Sequence, residues 1–108
     1  MKPIEFTGDG RDQWLEVASA AAKAPAGEAI LGTCLALARL LIEKNTAYGN
    51  SALAPLRIFS KAPPDEQIRV RIDDKLSRLG RGLAAGEDAV VDLAGYLILL
   101  LVARNMPP

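Results

Sequence analysis

Two stretches of this 108-residue chain are apolar almost all the way round a helix, and none alternates convincingly as a strand. Between about Glu28 and Asn45, Ile30, Leu31, Cys34, Leu35, Leu37, Ala38, Leu41 and Ile42 cover more than half of a helical circumference. A second run, AVVDLAGYLILLLVARN, opens at Ala89 and is more apolar still. The rest of so short a chain would struggle to cover two helices of this kind. The pattern therefore predicts an all-α domain of four helices, completed by oligomerisation.

The other elements fall between Gly and Pro clusters. Residues Asp12 to Lys23 are rich in helix formers, and Ala24-Pro25 ends them. Residues 1–27 are read as an N-terminal extension with this short helix, and 28–108 as the main helical domain. Residues 46–64, TAYGNSALAPLRIFSKAPP, form a long connection holding Gly49, Pro55, Pro63 and Pro64. A third helix is expected from Asp65, an N-cap candidate after Pro-Pro, with Ile68, Ile72, Leu76 and Leu79 as its apolar stripe. Gly80 and Gly82 end it. The fourth opens at Gly86-Glu87-Asp88, where acids suit a helix N-terminus.

Leu93 to Ala103 is too short to span a bilayer, and MKPIEFTGDGRD lacks the apolar core of a secretion signal. The lone Cys34 cannot form an internal disulfide, and its neighbours offer no activating base, so it is expected to be a small core residue. These features point to a cytoplasmic protein with no membrane partner.

Histidine is absent. That excludes Ser-His-Asp and Cys-His catalysis, His-ligated zinc and an imidazole switch. Thirteen basic residues balance thirteen acidic ones, and aromatics make up 5%. Neither a basic field nor a stacking strip is present for a long nucleic acid. With oxygen ligands only, the natural metal is hard, Mg²⁺ first and Mn²⁺ second.

Acids adjoin both apolar runs. Glu43 ends the second helix, and Asp88 and Asp92 stand four apart on the fourth, one turn from each other on one face. Asp92 is flanked by Val90, Val91, Leu93 and Ala94, where a lone charge is costly. Two arrangements satisfy it. In one, Asp92 pairs with Lys75 or Arg78 of the third helix while Glu87 and Asp88 cap the fourth. In the other, Glu43, Asp88 and Asp92 converge on a hard cation while Lys75 and Arg78 face a phosphate.

Three strings, in order, bear on this choice. Glu43-Lys44-Asn45-Thr46-Ala47-Tyr48-Gly49-Asn50-Ser51 resembles the "K-N-x-D-Y-G-x-S" element of the MazG-like, all-α nucleotide pyrophosphohydrolase group. The likeness is to its phage nucleotide-modification-associated branch. Ile72-Asp73-Asp74-Lys75-Leu76-Ser77-Arg78-Leu79 is similar to that branch's "D-K-x-x-R" helix. Glu87-Asp88-Ala89-Val90-Val91-Asp92-Leu93-Ala94-Gly95-Tyr96 is similar to its "E-D-x-x-x-D-L-A-G-Y" helix. The resemblance covers residues 28 to 104 and leaves the first 27 outside.

The resemblance implies a homodimer or higher homo-oligomer in which helix-borne acids bind Mg²⁺ against the phosphates of a nucleoside triphosphate. Water then cleaves the α–β linkage to give a monophosphate and pyrophosphate, a reaction suited to phage nucleotide metabolism. It implies Glu43, Asp88 and Asp92 as metal ligands, with Glu43 or Glu87 orienting the water. Lys75 and Arg78 would hold phosphate oxygens, Asn45 and Tyr48 would touch base or sugar, and Gly49 would let the loop approach the ligand. The group's Glu-x-x-Glu pair is incomplete, with Leu40 three residues before Glu43 and Arg39 four before, and Ala47 replaces the Asp before Tyr-Gly. These departures motivate an alternative: a catalytically silent helical oligomer that sequesters a nucleotide or a cyclic nucleotide signal.

Overall fold

The computed structural model describes residues 11–82 and 88–106. The opening of the fourth helix at Gly86-Glu87 and the role given to Glu87 lie outside them. Four helices follow in order: α1 (Arg11–Ala21), α2 (Gly27–Ala47), α3 (Pro64–Gly80) and α4 (Ala89–Arg104). No strand occurs among the described residues. None of their helices is long and apolar enough to cross a membrane.

The chain divides into two compact units, residues 1–40 and 41–108, with the division inside α2. In the first, α1 ends in tight turns: the Lys23 and Ala24 amides both donate to the Ala20 carbonyl, at 3.1 and 3.2 Å. The Gly27 amide donates to Ala24 at 3.1 Å, starting α2. Ala21 and Gly27 are buried at this junction.

The second unit is built on the α3–α4 pair, whose backbones pack side by side. Ile68 of α3 is 1% exposed and Ala89 of α4 is buried. Complete burial of an Ile side chain contributes roughly 1.5–3 kcal/mol. Gly95 of α4 is buried too. A Cβ there would lie 3.0 Å from Leu41 Cδ2, so the bare backbone of Gly95 leaves room for the tip of the Leu41 side chain.

Three local outcomes differ from the pattern. Asp65 does not cap α3. Pro63, extended at φ −65° and ψ 160°, takes the cap position with no side-chain bond, and Pro64 begins the helix. Proline's fixed φ suits the first helical position and holds the residue before it extended, so the cap falls two residues upstream of Asp65. Asp65 falls in the first turn, where with Glu66 it binds Arg69 at 2.8 and 2.9 Å.

The second is burial. Of α2, Gly27 is the buried residue. Ile30, Leu35 and Ile42 are exposed, and Cys34 is exposed rather than in a core. Among the described apolar side chains only Ala21, Ile68 and Ala89 are buried. Among the described residues, most large apolar side chains are thus exposed or half-buried. The third is length: α2 continues two residues past Asn45.

Candidate functional site

The site residues lie in residues 41–108, at the end of α2, the connection after it, and the α3–α4 pair. The end of α2 is fixed by its backbone. The Asn50 amide reaches back to the Asn45 carbonyl at 3.1 Å, the six-to-one bond of a Schellman motif with Tyr48 as C-cap. Gly49 follows in the left-handed region at φ 60°, and Asn50 at φ 64°. Glycine adopts this conformation freely, and asparagine is among the few residues that tolerate it. Asn45 Nδ2 donates to Asn50 Oδ1 at 2.7 Å, tying the two side chains across the turn. Tyr48 is exposed. Glu43, one turn back, is exposed on α2.

At the start of α4, Asp88 is the N-cap, and its Oδ1 accepts from the Val91 amide at 3.1 Å. Its backbone carbonyl accepts from the Asp92 amide at 3.0 Å. Asp92 then stands one turn along α4. Its Oδ2 lies 3.1 Å from Lys75 Nζ of α3, with the two side chains 28% and 12% exposed. The pair is mostly removed from water, where an ion pair is screened less than at the surface. Arg78, one turn after Lys75, is half-buried on α3.

Of the two arrangements open in the sequence, the chain by itself adopts the ion pair between Asp92 and Lys75 and the cap by Asp88. Asp88 and Asp92 are brought to the N-terminal turn of α4. Asn45, Tyr48 and Gly49 are brought together at the end of α2. Among the described residues, no group of three or more His, Cys, Asp or Glu is set to hold an ion. The oxygen donors on α4 still suit Mg²⁺ in kind. Asp88 and Asp92 offer carboxylate oxygens, and Mg²⁺ commonly takes one or two carboxylates, with waters and phosphate oxygens completing its shell.

Two features are not evident from the motifs. Asn50 is tied to Asn45, for which an Asn directly after a helix-ending Gly is the signal. In the connection, Arg57 has φ 60°, and its guanidinium donates to the Lys61 carbonyl while Lys61 Nζ donates to the Arg57 carbonyl at 2.8 Å. No sequence periodicity announces that clamp. No family model, curated protein or solved structure matches the chain.

Proposed function

We propose that the chain is a Mg²⁺-dependent nucleoside triphosphate pyrophosphohydrolase, converting an NTP or dNTP to the monophosphate and pyrophosphate, and that it works as a homodimer or higher homo-oligomer. What supports this reading is the resemblance of three strings in order, and the structure sets the base of one beside the acid of another, with Lys75 of α3 3.1 Å from Asp92 of α4. The direct pair is the arrangement without ligand, and in this proposal it opens so that a cation takes the carboxylate and a phosphate takes the ammonium. The large apolar surface that one chain leaves exposed supports the oligomer.

By the resemblance Glu43, Asp88 and Asp92 would hold the metal; the described residues do not group the three, so the set would have to assemble on ligand binding or between copies. When bound, Mg²⁺ supplies charge neutralisation for the triphosphate and acidifies water at the site. Phosphoryl chemistry needs positioning and charge more than a nucleophilic side chain, so a chain without histidine is no obstacle. Lys75, held beside a carboxylate and largely out of water, is a point charge for phosphate oxygens, and Arg78 is a planar fork for two of them. Glu43 or Glu87 would orient the water. Asn45 and Tyr48 would contact base or sugar, with Gly49 keeping the turn low enough for approach.

A second reading, a nucleotide-sequestering oligomer without catalysis, is favoured by one observation: Asp88 and Asp92 are each already engaged within the chain, as a cap and as an ion-pair partner. Titration with each of the eight common NTPs and dNTPs, with and without Mg²⁺, followed by analysis of the recovered nucleotide, separates the two. The hydrolase reading expects monophosphate and pyrophosphate in equal amounts and only with metal. Tight, metal-independent binding with intact nucleotide recovered would replace it with the silent binder.

A further inference from the structure

The segment between α2 and α3 holds a stapled loop. Arg57 and Lys61 exchange side-chain-to-carbonyl hydrogen bonds, Arg57 to the Lys61 carbonyl and Lys61 Nζ to the Arg57 carbonyl at 2.8 Å. The Ala62 amide closes on Ser60 Oγ at 3.3 Å. Arg57 holds a left-handed backbone, φ 60°, that a residue with a Cβ rarely adopts. Such a conformation persists where its surroundings enforce it, and here the reciprocal bonds do so.

What the staple presents is apolar. Leu56, Ile58 and Phe59 are 88%, 65% and 102% exposed. Three large apolar side chains in so short a rigid segment mark a contact surface rather than scattered exposure. The surroundings are positive: from residue 44 to residue 64 the sequence carries Lys44, Arg57 and Lys61 and no acid. A complementary face exists on the same chain. Val70, Asp73, Asp74 and Ser77 of α3 recur at three- and four-residue steps, and all four are exposed. Arg69 beside this face is engaged by Asp65 and Glu66, while Arg71 stands about 100° round the helix from Val70.

We infer that the 56–61 loop docks on the Val70–Ser77 face of α3 in a second copy of this chain, apolar apex against Val70 and the cations Arg57 and Lys61 against Asp73 and Asp74. Loop and face belong to the same chain, so a two-fold arrangement makes the contact twice with the same residues. The loop is already ordered by its own hydrogen bonds, so docking orders little that was free. This interface does not rest on the nucleotide reading.

Charge reversal tests it by sedimentation equilibrium, with far-UV circular dichroism to verify the helices. The variant carries D73K and D74K, which leaves the Arg57–Lys61 bonds intact. Loop and face then repel, and self-association should weaken by about tenfold or more, with part of it regained at raised salt, which screens the repulsion. Phe59→Ser, which also leaves the staple intact, should weaken association by about tenfold, as loss of a central aromatic does. A monomeric wild type, or either variant associating normally, would overturn the inference.

Discussion

Asp92 and Lys75 meet across α3 and α4 largely out of water. Asp92→Ala removes one partner of a mostly buried ammonium and should lower stability by about 1–3 kcal/mol in urea unfolding, and adding Lys75→Met should recover part of that loss because the buried charge is removed as well. Asp88 separates structure from chemistry more cleanly. Asparagine caps a helix as well as aspartate, so Asp88→Asn should leave stability within a few tenths of a kcal/mol, while Asp88→Ala should cost about 1 kcal/mol. Under the proposed function both variants lose pyrophosphate release. An Asp88→Asn protein with unaltered stability and activity would assign Asp88 to the cap alone. The acids at the start of α4 and the pairing options for Asp92 were legible because a carboxylate among Val and Leu requires a partner. Which partner it takes was not legible, since Lys75 and Arg78 lie one turn apart on the same helix and only packing selects between them.

Among the elements, α4 leaves room for the Leu41 side chain through the bare backbone of Gly95. A Val side chain there would press further into Leu41 than the single Cβ at 3.0 Å, and Gly95→Val should destabilise by about 1–3 kcal/mol through overpacking. At the end of α2, Gly49→Ala puts a Cβ on a left-handed residue with open space around it. Its cost, about 1 kcal/mol, should come from backbone strain alone. Either is measured by thermal or urea unfolding. Helix existence and order were legible from period and from Gly and Pro, because local chemistry sets both. The start of α3 was misplaced because Pro64 overrode the capping preference of Asp65. The loop clamp was hidden because it joins side chains to carbonyls within an irregular segment, where no repeat betrays it.

For the molecule as a whole, the all-α class follows from hydrophobic period, and the described residues bear it out. The expected burial of α2 fails within one chain for a physical reason: a helix apolar nearly all round needs cover on several sides, and Ile30, Leu35 and Ile42 remain exposed. If copies of the chain provide that cover, the melting temperature should rise with protein concentration, as mass action requires of a folded oligomer. A concentration-independent transition would remove the oligomer from the account.

Pyrophosphate release reports on the chemistry proposed for the acids of α4 and the bases of α3. Wild type and Asp92→Ala are each incubated with the eight common NTPs and dNTPs and Mg²⁺, at a temperature where both remain folded. The wild type should release pyrophosphate and monophosphate in equal amounts from at least one nucleotide, and Asp92→Ala none. No pyrophosphate from any nucleotide, or undiminished release by Asp92→Ala, would rule the hydrolase out.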